Sequence, residues 1–199
     1  MNYMIPDSIL DRLFRNARTH NAWTDAPVSD DELHRLYELM KWAPTSANSS
    51  PARIIFLRSA AAKARLKPHL SGGNVEKSMA APVTAIIGYD TEFYRHLPRL
   101  FAHSSVMHTL FSDPQNSART ERAAFQNSSL QGGYFILAAR CIGLDCGPMS
   151  GFDAAGVDRE FWSGTTVKTN FLCNLGHGDS SGLFARLPRL DFDEVCRIV

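Results

Sequence analysis

The longest helical pattern in the sequence, Glu121 to Ile142, sets the frame that any fold of this chain must accommodate. Phe125, Leu130, Tyr134, Leu137, Ala138 and Cys141 fall on its successive turns. Gly132-Gly133 lies inside the pattern, and each glycine costs roughly 1 kcal/mol of helix propensity. Something must compensate, and close approach of another helix, for example from a second subunit, is the physical reason expected. Gly143 supplies a C-terminal stop. With 199 residues, 44% of them hydrophobic and 21% charged, the chain can bury a core. No Gly/Ser-rich or Pro-rich linker divides it, so one domain over residues 1–199 is expected.

A second helix is fixed by its start. Ser29-Asp30-Asp31-Glu32 reads as a capping box, and Leu33, Leu36, Tyr37, Met40 and Ala43 follow at i, i+3, i+4, i+7 spacing. Pro44 holds Ala43 out of helical angles and delivers the loop Ala43–Pro51 to a defined place. Its Thr45, Ser46, Asn48, Ser49 and Ser50 offer donors and acceptors suited to a polar, planar ligand rather than to acid–base chemistry. An ordinary connection has the same composition, so the loop's role depends on the rest of the chain. Apolar runs at Arg53–Arg58, Pro82–Tyr89 and Thr169–Gly176 predict strands. Helices are predicted over Asp7–Ala17 and Ser59–Leu66, a turn at Ser71–Asn74, and short helices and loops between Thr91 and Thr120.

Several further segments could contact a ligand. Arg18-Thr-His-Asn-Ala-Trp23 joins a fixed cation to hydrogen-bond donors and an aromatic anchor, and an arginine fork suits phosphate oxygens. Asn74 and Lys77, three apart, can share a helix face and offer an amide and a cation together. Leu144–Phe152 reads as a glycine-bearing loop able to approach a flat ligand, with Asp153 capping the next helix. Arg95 and Arg99 lie among aromatics in a segment that reads as a pocket lid.

Other chemistries are disfavoured. His103 and His108 lack a zinc spacing, so no metal is expected. Gly178-Asp-Ser-Ser-Gly182 is similar to a serine-protease nucleophile region, but the pattern of short strands that would accompany it is missing. A net charge of +1 with dispersed basic residues gives no nucleic-acid footprint. No signal peptide or membrane-length segment is found, so a cytoplasmic protein without membrane contact is expected. The four cysteines form no CxxC pair and are expected to be buried thiols. The apolar residues of the tail, from Asp191 onwards, are expected to pack, for instance on a partner chain.

Arg18–Trp23, Ala43–Asn48 with Pro51, Asn74-x-x-Lys77, Gly147–Phe152 and Arg186-Leu-Pro occur in the order and spacing of the nitroreductase-like FMN oxidoreductases, which the chain resembles over essentially its whole length. Within that family, Arg-Thr-His-Asn and Pro-Thr-Ser-Ala-Asn resemble the wording of malonic semialdehyde reductases of pyrimidine (uracil) degradation. The chain departs from typical relatives at Ser50-Pro51-Ala52, where they carry Gln-Pro-Trp, and at Asn21, where a basic residue is common. The resemblance implies an α+β fold, three layers α/β/α around a central mainly antiparallel sheet, and an intertwined homodimer with two FMN sites at the interface. It implies that Arg18, His20, Asn21 and Arg186 lie near the FMN phosphate and ribityl chain, and Asn74 and Lys77 at the polar edge of the ring. Pro44, Thr45, Ser46 and Asn48 would come from the opposite subunit. Pro148, Met149, Ser150 and Gly151 would set backbone groups near flavin N5 and O4.

The activity implied is NAD(P)H-dependent reduction of malonic semialdehyde or a similar small 3-oxo acid to 3-hydroxypropanoate or its analogue, the hydride passing through flavin N5. NADPH or NADH is the donor, and no protein side chain acts as a catalytic acid or base. Arg95 and Arg99 are the candidates for the substrate carboxylate. A broad nitro- or quinone reductase, or a flavin-binding protein without turnover, are the alternatives.

Overall fold

A computed structural model describes residues 4–199. Four strands, β1 (Ala52–Leu57), β2 (Val83–Asp90), β3 (Asp145–Met149) and β4 (Val167–Gly176), form one antiparallel sheet in the order β1-β2-β4-β3. Around it lie α1 (Asp7–Leu10), α2 (Asp30–Met40), α3 (Ala60–Leu66), α4 (Gly72–Ala80), α5 (Leu97–Leu100), α6 (Val106–Ser112), α7 (Ser117–Cys141), α8 (Ala154–Phe161) and α9 (Phe192–Val195).

Strand β2 is buried along its whole length, because both faces of the sheet are covered and its side chains alternate between them. Val83, Ala85 and Ile87 pack with Leu36 and Met40 of α2 and with Phe135 and Ala138 of α7. Ile86 points the other way, towards Leu66 of α3, Val157 of α8, and Trp162. The result is the three-layer α/β/α arrangement with a central antiparallel sheet that the resemblance implies. A third, smaller core of Tyr89, Phe93, Leu97, Phe111 and Ala124 forms beneath the 91–120 segment. That segment is made of short helices and loops as expected.

The capping box forms as read: Ser29 Oγ accepts from the Glu32 N–H at 3.2 Å, and Glu32 Oε2 accepts from the Ser29 N–H at 2.8 Å. Other local expectations need correction. The first helix passes into a π-helical stretch at Asp11–Arg15. The expected turn at Ser71–Asn74 is instead the start of α4, whose Gly72 and Gly73 face open space. Most of Leu144–Phe152 is a strand rather than a loop. Pro148 is tolerated there because β3 is an edge strand. Asp153 occupies the N-cap position of α8 but makes no side-chain cap. Cys146 and Cys173 are buried thiols, whereas Cys141 and Cys196 are exposed.

The largest correction concerns α7. Its sheet-facing side is small and polar, with Ala124, Asn127, Ser128, Gln131, Gly132 and Ala138 buried around Phe135. Phe125, Leu130 and Tyr134 face outwards, exposed to 46%, 50% and 42%. The helix lies so close to the sheet that a Cβ on Gly132 would stand 2.5 Å from Cε1 of Phe171 in β4. Gly132 therefore makes room for a ring of the sheet rather than for another helix, while Gly133 meets nothing within 4 Å.

Candidate functional site

Residues 18–23 are stitched to the β3 edge of the sheet. Thr19 bridges to Cys146, and the His20 N–H donates to the Cys146 carbonyl at 3.0 Å. The His20 ring is 7% exposed, with Nε2 at 3.6 Å from Asp145 Oδ1, and its Nδ1 has no hydrogen-bond partner among the described residues. Trp23 Nε1 donates to the Lys77 carbonyl at 3.3 Å, so the same segment also holds α4. Two glycines permit this approach. A Cβ on Gly147 would lie 2.6 Å from the His20 carbonyl oxygen, and one on Gly178 would lie 2.0 Å from His20 Nδ1.

From α4, Asn74 Nδ2 donates to the Gly151 carbonyl at 2.7 Å, and the Ser71 N–H donates to the same oxygen at 3.0 Å. Pro148–Gly151 is thereby fixed against the start of α4. A reciprocal clasp joins the two ends of the chain: Arg18 donates to the Phe184 carbonyl, and Arg186 donates to the carbonyls of Arg15 at 2.6 Å and Ala17 at 3.0 Å. Arg18, His20, Asn21, Asn74, Lys77, the strip Pro148, Met149, Ser150, Gly151, and Arg186 thus gather from distant parts of the sequence around one sheet edge. The result is a zone of cations, amide groups and closely approached backbone.

Pro44, Thr45, Ser46 and Asn48 are not part of that group. Their loop opens into β1, on the far edge, and three strand spacings of about 4.8 Å put roughly 14 Å between the edges. Ala47, Asn48 and Ser50 have φ of 51°, 49° and 42°, left-handed angles that cost on the order of 1 kcal/mol each without glycine. Hydrogen bonds over-determine them. Asn127 Oδ1 accepts from the Ser46 N–H at 2.7 Å, Thr45 Oγ1 from the Ser50 N–H at 3.1 Å, and Gln131 Oε1 from the Ala52 N–H at 2.9 Å. Asn48 Nδ2 donates to the Leu100 carbonyl at 2.9 Å.

Beside this loop opens a cleft of about 840 Å³ whose lining includes Tyr37, Trp42, Asn48, Arg53, Phe56 and Arg99. Arg95 is not among its lining residues and pairs instead with Glu92 at 2.7 Å. Sequence reasoning missed Asn127 and Gln131, the two buried amides that hold the loop. Their four-residue spacing on the long helix was the available signal. Among the described residues, no group of three histidines, cysteines or carboxylates could hold a metal ion. Among the same residues, no helix is long and apolar enough to cross a membrane.

The sequence profile of the nitroreductase family matches residues 14–176. A Burkholderia lata protein provisionally named NADH dehydrogenase/NAD(P)H nitroreductase is 60% identical over 194 residues, which is 98% of each chain. A crystal structure of a provisionally named nitroreductase from Exiguobacterium sibiricum, solved in complex with FMN, superposes with a TM-score of 0.81 at 18% identity, covering 100% of both chains. A provisionally named NAD(P)H:FMN oxidoreductase from Staphylococcus epidermidis gives 0.80 at 17% identity, covering 100% of this chain and 99% of the other. At these identities the two structures speak for the fold.

Proposed function

Because the chain belongs to the nitroreductase family, we propose that it is a cytoplasmic, homodimeric, FMN-dependent NAD(P)H oxidoreductase that reduces malonic semialdehyde or a similar small 3-oxo acid. The observation that carries this reading is the gathering at the β3 edge of Arg18, His20, Asn74, Lys77 and Arg186 around the strip Pro148–Gly151. That donor set fits a flavin mononucleotide. Arg18 and Arg186 each spend part of a five-donor guanidinium on backbone carbonyls and keep further N–H groups for phosphate oxygens. Lys77 and Asn74 offer a cation and an amide for the polar edge of the ring. His20, buried with a ring nitrogen unpartnered among the described residues, has hydrogen-bonding capacity to give.

When bound, FMN supplies hydride chemistry: a hydride from NAD(P)H reaches the aldehyde carbon, the carbonyl oxygen takes a proton, and 3-hydroxypropanoate results. The chain's own contribution is to bind, orient and neutralise charge.

The placement of Pro44, Thr45, Ser46 and Asn48 on the opposite edge supports their reaching the flavin of a second copy. The outward stripe of Phe125, Leu130 and Tyr134, and the exposed Phe184, Leu187, Leu190 and Ile198 of the tail, offer the apolar surface such a pairing needs. Broad nitro- or quinone reduction is the second reading, favoured by the name of the B. lata relative. The deciding experiment records the visible spectrum of the purified protein and then follows NAD(P)H oxidation with malonic semialdehyde, a nitroaromatic and a quinone. Yellow protein that turns over the semialdehyde most efficiently is expected. Colourless protein unable to bind added FMN overturns the flavin reading, and preference for the nitroaromatic or quinone moves the assignment to the second.

A further inference from the structure

We propose that Arg99 is the cation that receives the substrate carboxylate and that Asn48 is its positioning residue; this deepens, and rests on, the acid-reductase reading. The charges around the 840 Å³ cleft single it out. Arg53 is bound to Asp90 at 2.7 Å and to the carbonyls of Ser50 and Ala52. Lys41 is paired with Glu38, and Asp30 with Arg58 at 2.7 Å. Arg99 alone among the lining lysines and arginines has no carboxylate within 4.0 Å among the described residues. Arg95, the other arginine of the segment, is engaged by Glu92 and lies outside the lining.

Arg99 is exposed but rides on an anchored backbone. It sits on α5, where Leu97 is buried in the small third core and the Leu100 carbonyl accepts from Asn48 Nδ2 at 2.9 Å. The Asn48 side chain thus ties α5 to the loop that we assign to the flavin of a second copy, and a carboxylate held by Arg99 is carried with that loop. Tyr37, Trp42 and Phe56 present apolar walls beside a guanidinium fork that can take both carboxylate oxygens. The cleft is much larger than a three-carbon acid, so the charge rather than the shape of the walls selects the ligand.

Titration calorimetry of the purified protein with 3-hydroxypropanoate reads this site without turnover. Arg99→Gln is expected to raise the dissociation constant about tenfold or more, and Arg99→Lys to recover part of the loss. Asn48→Ala, measured on protein saturated with FMN, should raise it as well. In steady state, Arg99→Gln should raise KM for malonic semialdehyde more than it lowers kcat. An unchanged constant in Arg99→Gln, an equal effect of Arg95→Gln, or no binding by the wild type overturns the assignment. Acid binding that depends on Arg99, with no turnover of malonic semialdehyde, upholds the site and removes the reductase reading instead.

Discussion

Gly178 stands where β4 exits the sheet and passes under the His20 ring. A Cβ there would lie 2.0 Å from Nδ1 and 2.4 Å from two ring carbons. The ring has little room to retreat, because it is buried beside Trp23, at 6.3 Å between centroids, and near Asp145. Gly178→Ala is expected to destabilise by about 1–3 kcal/mol and to lower flavin retention, read by thermal denaturation and by visible absorbance. At the start of α2, the Ser29 backbone N–H and then its hydroxyl hold the Glu32 carboxyl below its ordinary 4.5. A carboxyl depressed in the folded state adds stability above the unfolded value and loses it as pH falls through the folded one. The stability gap between wild type and Glu32→Gln, measured by denaturant titration, should therefore be fullest above pH 4.5 and shrink below it. A gap that widens on acidification would contradict the capping geometry.

Among the elements, α7 shows both what could be read from the sequence and what could not. Its existence and its stop at Gly143 followed from periodicity and from one residue suited to φ of 94°. Which face is buried did not follow, because apolarity normally marks the inner side. Here the inner side is polar because it has carbonyls and amides to satisfy. Ser128 Oγ donates to the Gly88 carbonyl at 3.0 Å, Asn127 accepts from the loop before β1, and Gln131 from the first residue of β1. The same physics explains why the left-handed residues of the Ala43–Pro51 loop could not be read from its composition: the strain is stabilised by partners about eighty residues away. Asn127→Ala should cost about 1–3 kcal/mol by leaving the Ser46 N–H unpaired. The loop's amides should then exchange faster with deuterated solvent, with little change in those of β4.

For the whole molecule, the strand runs and helices were legible from local pattern, whereas the three-layer architecture was implied only by the resemblance that the motif order carries. The resemblance already set Pro44–Asn48 apart from the other motifs, but the strand order that puts the two groups on opposite edges was not legible, since it is a long-range property that local residues do not encode. Arg18 and Arg186 illustrate the point. Arg18 could be read as a phosphate candidate from its own segment and Arg186 only through the resemblance, and the clasp that ties both segments together was not visible in either. The division into edges has a genetic consequence. Consider two inactive versions of the chain, one disabled at the β3 edge and the other at the loop before β1. If each site draws one edge from each copy, a mixed pair concentrates both lesions in one site and leaves the other wholly intact. Co-expression should then restore up to half of the wild-type turnover per mixed pair, measured on dimers isolated with two different affinity tags, whereas sites built within single chains would show no complementation at all.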